Sequence, residues 1–113
     1  MSLAMAVPSA HLAPGLGLSV RADGAATVLA LRGEADVAGL AVLVEAFARI
    51  TADGTGDVVV DLSQVEFIDT ATVRAVLGAR VLLAGDGRQL TLRSPSRVAA
   101  RVLARFGLGH LVG

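Results

Sequence analysis

The chain of 113 residues contains no cysteine, lysine, tryptophan or tyrosine, and only three phenylalanines. Without cysteine, disulfide bonds, thiol chemistry and cysteine-bound metals are excluded, which is compatible with the reducing cytoplasm where we expect the protein. Without lysine, a phosphate-binding loop of the G-x-x-x-x-G-K-[ST] type is excluded. Because ten acids balance ten bases and stacking aromatics are scarce, no nucleic-acid partner is expected.

Apolar residues make up 54% of the chain, yet charged residues interrupt every apolar run. No run approaches the ~20 residues that cross a membrane, so no membrane span is predicted. Residues 1–15 are rich in Ala and lack both the basic start and the sustained apolar stretch of a signal peptide. The sequence therefore predicts a mobile N-terminal leader at residues 1–15 and one domain at residues 16–113.

The first half of the domain predicts a hairpin and a helix. Residues 16–22 and 26–32 are β-prone and flank an Asp-Gly dipeptide that suits a tight turn. From Leu40 onward, apolar residues recur at helical spacing, with Asp36 as the candidate N-cap and Gly54 as the C-terminal stop.

The middle of the domain predicts a buried strand and a second helix. Residues 58–62 form an apolar run typical of a central parallel strand, and we interpret residues 63–68 as its connection to the helix. That helix begins at Asp69-Thr70 and ends at the Gly-Asp-Gly of residues 85–87. Arg80 falls within the predicted inward arc, whose apolar members are Val73, Val76, Leu77, Val81 and Ala84.

The last part predicts a strand at residues 89–93 and a final helix that Ser94-Pro95 caps and Gly107 ends. The inward residues of this helix are predicted to be Val98, Ala99, Val102, Leu103 and Phe106. The order β-β-α-β-α-β-α is that of an α/β domain. It predicts a mixed four-stranded sheet with an N-terminal hairpin and helices packed on it.

The Asp69-Thr70 pair stands where a parallel strand gives way to a helix, and functional groups of open α/β sheets gather at such junctions. A purely structural role also fits, because Asp or Thr before a helix usually caps it. Both roles can coexist, with Asp69 as the cap and Thr70 presenting its hydroxyl. The helix dipole would tolerate a phosphate on Thr70, while carboxylates at Asp69 and Asp36 would oppose it, so phosphorylation would act as a switch on partner binding.

Charge is unevenly distributed along the sequence. Residues 34–69 hold eight acids and one arginine, whereas residues 70–113 hold seven arginines and one acid. A stripe of arginines four apart predicts a solvated face or a contact for an acidic partner, and its members are Arg93, Arg97, Arg101 and Arg105. His11 and His110 lack ligand-spaced companions and no nucleophile–base pair can be assembled, so no metal site, cofactor or enzymatic activity is predicted.

Three segments carry a family resemblance, namely ALRGEADVAGLAVLVEAF, VVVDLSQVEFIDTATVRAVLGAR and RSPSRVAARVLARFGLGHLV. They resemble the STAS domains, specifically the bacterial anti-sigma factor antagonists. The first is similar to the family's strand, GE-x-D and helix, the second to the segment around its phosphorylation motif, and the third to its closing strand, helix cap and Phe-Gly-Leu ending. The resemblance extends from about residue 16 to residue 113.

The resemblance implies a phosphorylatable regulator of sigma-factor-dependent transcription in a stress response. The family's phosphate acceptor follows the Asp of a D-S-[ST]-G motif, and that position is Thr70 here. Unphosphorylated protein is then expected to bind an anti-sigma factor with serine/threonine kinase activity, phosphorylated protein to release it, and a phosphatase to be a further partner. The implied partner-binding residues are Asp36, Asp69, Thr70, Ala71 and Thr72. Because Thr72 replaces the motif's Gly, its β-branched side chain is expected to hinder close approach of a partner.

Three alternatives stay open. A STAS domain can be a non-phosphorylated scaffold or a transport-complex subunit that acts by protein–protein binding. A two-component receiver would use a strand-end acid such as Asp61, but the acidic pair and the lysine of that kind of site are missing. Weak nucleotide binding at the same surface is the third.

Overall fold

The computed structural model describes residues 15–113, so the predicted leader lies outside the described residues except for Gly15. The predicted element order is confirmed. The chain forms strands β1 (Leu16–Asp23) and β2 (Ala26–Ala35), helix α1 (Leu40–Asp53), strand β3 (Val58–Ile68), helix α2 (Thr70–Gly85), strand β4 (Leu90–Arg93) and helix α3 (Arg97–Arg105). Short 3-10 turns occupy Val37–Gly39 and Gly109–Leu111.

The four strands form one mixed sheet in the order β1-β2-β3-β4. β1 and β2 are antiparallel, whereas β2, β3 and β4 run parallel to one another. Asp23 pairs with Ala26, so Gly24 and Ala25 form the hairpin turn, and Gly24 adopts a φ of 63° that a side chain would strain. The predicted fold class is confirmed, including its N-terminal hairpin.

One face of the sheet carries the hydrophobic core. Leu29, Val60 and Leu92 lie side by side across β2, β3 and β4, and each is at most 1% exposed. All three helices contribute buried side chains to this same core, for example Phe47 from α1 and Leu103 from α3. The helices therefore cover one face of the sheet. Within residues 15–113, no helix has both the length and the apolar character that a membrane crossing requires.

Strand β3 is longer than the sequence predicted, because residues 63–68 continue the strand instead of connecting it to α2. The register of β3 with β2 shifts at two places, and each shift inserts one extra β3 residue as a bulge. The buried residues Leu62, Val65 and Ile68 are consequently three apart instead of two. Since alternation with a period of two is what identifies a half-buried strand, the bulges conceal this part of β3 in the sequence.

The inward face of α2 also differs from the prediction. Val81 is 68% exposed and Ala84 is exposed as well, whereas Ala79 and Leu83 are buried. Arg80 is exposed and does not belong to the inward arc. Because α2 carries apolar side chains on nearly all sides, their spacing alone does not determine which side faces the sheet.

Helix α3 begins later than predicted, since Ser96 and not Ser94 is its N-cap. The Ser96 Oγ accepts a hydrogen bond from the Ala99 amide at 3.1 Å, while Ser94 adopts a φ of 51° in the preceding turn. The predicted inward residues Val98 and Phe106 are 38% and 39% exposed. The buried face of α3 is thus narrower than the spacing of its apolar residues suggested.

A buried arginine lies at the C-terminal end of α1. Arg88 is 6% exposed, and its Nε donates to the Gly56 carbonyl at 2.7 Å. Its Nη1 and Nη2 donate to the Thr51 and Ile50 carbonyls at 3.1 and 3.3 Å. A helix C-terminus has unpaired carbonyls and a partial negative charge. The guanidinium donates hydrogen bonds to the carbonyls, and its positive charge offsets the negative end of the helix dipole. Nothing in the sequence pattern around Arg88 predicts this role.

The sheet coils enough for side chains of its two edge strands to approach each other. Asp23 and Arg93 belong to strands at opposite edges, yet Arg93 Nη1 lies 3.8 Å from Asp23 Oδ2. Because Arg93 is part of β4, the four arginines of the predicted stripe do not all lie on one helix. Arg97, Arg101 and Arg105 remain as exposed residues of α3.

Candidate functional site

The carboxyl ends of β2 and β3 lie together at one edge of the sheet. The last residues of the two strands, Ala35 and Ile68, are paired, and the Asp69 amide donates to the Ala35 carbonyl at 3.1 Å. Helix α2 starts directly afterwards at Thr70, and Asp36 follows β2. The fold therefore brings Asp36 and the Asp69-Thr70 pair together, although they are distant in sequence.

Both acids at this edge act as caps. Asp69 has extended backbone, and its Oδ1 accepts from the Thr72 amide at 2.9 Å, as a helix N-cap does. Asp36 Oδ1 accepts from the Ala38 amide at 3.0 Å. Asp36 thus caps the 3-10 turn that precedes α1, while the N-cap of α1 itself is Gly39. Such a side-chain cap contributes about 1 kcal/mol to stability.

Thr72 is a structural residue with 1% of its surface exposed. Its Oγ1 lies 2.8 Å from both the Ala35 carbonyl oxygen and Asp69 Oδ1, and its single hydroxyl proton serves one of these acceptors at a time. Donation to Ala35 fastens the start of α2 to the end of β2, whereas donation to Asp69 ties the hydroxyl to the N-cap of α2 itself. The Thr72 side chain lies inside the fold and not on the surface to which the sequence assigned it, so its β-branched group does not project outward from the fold.

Thr70 has the opposite environment, since it is the exposed first residue of α2. The Asp69 carboxylate is engaged with Thr72, so it does not tie down the Thr70 side chain. Ala71, the next residue, is partly buried. A hydroxyl in the first turn of a helix, near unpaired amides and the positive end of the dipole, is placed where an attached phosphate is tolerated.

Exposed apolar side chains also occur where β2 and β3 end. Phe67 near the end of β3 is 49% exposed, and Val37 after β2 is 69% exposed. Glu34, which pairs with Phe67 across the two strands, and Glu66 add exposed acids. We call this region the carboxyl-edge surface, and its members are Glu34, Asp36, Val37, Glu66, Phe67, Asp69 and Thr70.

The sequence pattern does not predict that Phe67 and Val37 are surface residues. Phe67 lies in the segment interpreted as a connection, and its exposure depends on the bulges of β3. The one signal in the sequence was the scarcity of large aromatic residues, because phenylalanine is the only such type in the chain. A half-exposed Phe beside two strand-end acids is the kind of apolar contact that binding surfaces use.

The described residues offer little to a metal or a small substrate. No group of three or more His, Cys, Asp or Glu side chains within residues 15–113 is arranged to hold a metal ion. His110 lies in the last 3-10 turn, and His11 is outside the described residues. A shallow cleft between the sheet, α2 and α3 is lined by aliphatic side chains alone, so it has no polar group to orient a substrate.

The hairpin, the parallel crossovers and the capped Asp-Thr helix start define the class of this protein as a STAS domain. The family model described as "Mlab, STAS domain" matches residues 18–113, and the chain belongs to that family.

Solved structures of anti-sigma factor antagonists share this fold. The unphosphorylated form of the antagonist SpoIIAA matches with a TM-score of 0.75 at 20% identity, over 85% of this chain and 85% of that chain. An antagonist from Mycobacterium paratuberculosis matches with a TM-score of 0.76 at 22% identity, over 87% and 84% of the two chains. The phosphorylated form of the Bacillus cell fate determinant SpoIIAA matches with a TM-score of 0.69 at 20% identity, over 85% and 88%. No curated protein sequence matches the chain.

Proposed function

We propose that the protein is a cytoplasmic, non-enzymatic anti-sigma factor antagonist. In its unphosphorylated form it binds an anti-sigma factor with serine/threonine kinase activity through the carboxyl-edge surface, and phosphorylation at Thr70 releases it. The observation that carries the proposal is the exposure of Thr70 at the capped start of α2. The fold supports it, because antagonists in both unphosphorylated and phosphorylated forms share that fold.

The switch has a simple physical basis. The kinase transfers the γ-phosphoryl group of ATP to Thr70 Oγ1, the hydroxyl proton goes to a base of the kinase, and ADP leaves. The phosphate adds about 1.5 to 2 negative charges at neutral pH. The start of α2 stabilises them, so the fold is retained. A partner pocket matched to a neutral hydroxyl, however, must now desolvate a phosphate, and this cost ends binding.

Mass spectrometry tests the proposal after the purified protein is incubated with a candidate anti-sigma factor and ATP. We expect one added phosphate on Thr70 and none on the Thr70→Val variant. Thr55 is an exposed threonine outside the carboxyl-edge surface, so Thr55→Val is the matched control and should gain the phosphate. Phosphate on another residue, or on none, contradicts the proposal.

A second candidate function is that of a STAS scaffold or transport-complex subunit that binds its partner without being phosphorylated. The exposure of Phe67 and Val37 favours it, because an apolar contact needs no modification to form. A partner that binds the parent protein and Thr70→Val equally, and transfers phosphate to neither, would identify this function.

A further inference from the structure

Arg74 lies one helical turn after Thr70 on the exposed side of α2. Side chains four residues apart are neighbours on a helix surface, and helical side chains lean toward the N-terminus. The Arg74 side chain is therefore directed back toward the turn that carries the Thr70 hydroxyl.

The surroundings leave Arg74 available to an anion. The capping residues beside Thr70, Asp36 and Asp69, are both acids. The other arginine of α2, Arg80, comes six residues after Thr70, which places it on a different side of the helix. The ion pairs found within residues 15–113 are made by other arginines, so Arg74 is not committed to a carboxylate there.

We propose that Arg74 binds the phosphate on Thr70 within the same chain. This inference rests on the proposed function in that Thr70 carries the phosphate. The guanidinium donates charge-assisted hydrogen bonds to phosphate oxygens and offsets the repulsion from Asp36 and Asp69.

Phosphorylation then changes the carboxyl-edge surface in two ways. The surface gains a phosphate, and it loses a free guanidinium at its border. A partner that places an acidic side chain against Arg74 loses that contact when the phosphate captures the arginine. Release of the partner then has two causes, namely the negative charge of the phosphate and the loss of the Arg74 guanidinium as a contact for the partner.

The experiment installs phosphothreonine at position 70 by genetic code expansion, without any kinase. A titration followed by phosphorus NMR gives the pKa of the second phosphate ionisation, which is ordinarily about 6. Since Arg74 favours the dianion, we expect this pKa to be roughly 0.3 pH unit higher in Arg74→Gln than in the parent phosphoprotein. The difference should shrink in about 1 M salt, where the Debye length falls to ~3 Å.

Arg80→Gln is the matched control, because it removes the same charge from the same helix on another side, and it should leave the phosphate pKa unchanged. Both residues are exposed, and circular dichroism confirms that both variants are folded. An equal pKa in the parent and Arg74→Gln, or an equal rise in both variants, overturns the proposal. Because no kinase is used, a kinase that fails to modify Thr70 contradicts the proposed function and leaves this measurement unaffected.

Discussion

Two threonines two positions apart in α2 have opposite roles. Thr70 is exposed and free of the cap, whereas Thr72 is buried and takes part in it. The difference follows from the helix geometry, because a step of two residues rotates the side chain by about 200°, to nearly the opposite side of the helix. Thr72, which the sequence suggested as an obstacle to a partner, is instead part of the buried structure that supports the turn carrying Thr70.

Removal of the Thr72 hydroxyl should weaken the fold. Thr72→Val keeps the shape of the side chain but loses the hydrogen bond to Ala35 or Asp69 and places a methyl group against a carboxylate. We expect the free energy of unfolding to fall by about 1 to 2 kcal/mol in urea denaturation. Thr55→Val, at an exposed position, should change it by less than about 0.5 kcal/mol. Equal stability of the two variants would show that the hydroxyl is dispensable.

Arg88 is the second residue whose loss should be costly. Arg88→Met keeps a long side chain but leaves the Gly56, Thr51 and Ile50 carbonyls without the guanidinium. We expect the free energy of unfolding to fall by about 3 kcal/mol, because hydrogen bonds from a buried charged donor are lost together. Arg80→Met removes an exposed arginine and serves as the control in the same denaturation series. A loss no larger than that of the control would mean that water replaces the guanidinium.

At the scale of the elements, the sequence predicted those features that depend on interactions between residues close together in the chain. The helical spacing after Leu40 and the stop at Gly54 predicted α1, and the Asp-Gly dipeptide predicted the hairpin within one residue of its turn. Asp69 was predicted as a cap because capping needs only a neighbouring amide. The extension of β3 to Ile68 was not predictable, since bulges against β2 determine it. The buried side of α2 likewise depends on the sheet beneath it.

The same limit applies to the candidate site. Asp69 and Thr70 could be found from their place before a helix, but the burial of Thr72 depends on contact with the end of β2. The exposure of Phe67 depends on the bulged register of β3. Both the burial of Thr72 and the exposure of Phe67 arise from the pairing of strands that are distant in sequence. The spacing of residues within one segment carries no information on that pairing.

The bulged end of β3 should contribute to binding through Phe67. Phe67→Ala removes a half-exposed ring from the carboxyl-edge surface, and we expect it to weaken partner binding by roughly tenfold or more, as loss of an aromatic anchor does. Calorimetric titration with the anti-sigma factor measures this change. Phe106→Ala removes a ring of similar exposure at the end of α3 and should leave affinity unchanged. Equal losses in both variants would indicate a general effect of the substitution.

At the scale of the whole molecule, the ion pair between Asp23 and Arg93 joins the two edge strands of the coiled sheet. Its side chains are 52% and 39% exposed and 3.8 Å apart, so solvent screens most of the attraction. We expect Asp23→Asn to change the free energy of unfolding by less than about 0.5 kcal/mol in chemical denaturation. A loss above about 1 kcal/mol would exceed the usual contribution of an exposed ion pair and would mean that this pair stabilises the coiled shape of the sheet.

The attachment of α2 to the end of β2 has a consequence for any enzyme that modifies Thr70. The Asp69 amide and the Thr72 hydroxyl hold the start of the helix against Ala35, so Thr70 is displayed on a helical turn. An enzyme that binds its substrates as extended peptides would have to pull this turn apart to reach the hydroxyl. Recognition must then depend on three-dimensional shape and not on a linear consensus. Modification of Thr70 would thereby select correctly folded molecules, and a misfolded copy would escape the switch.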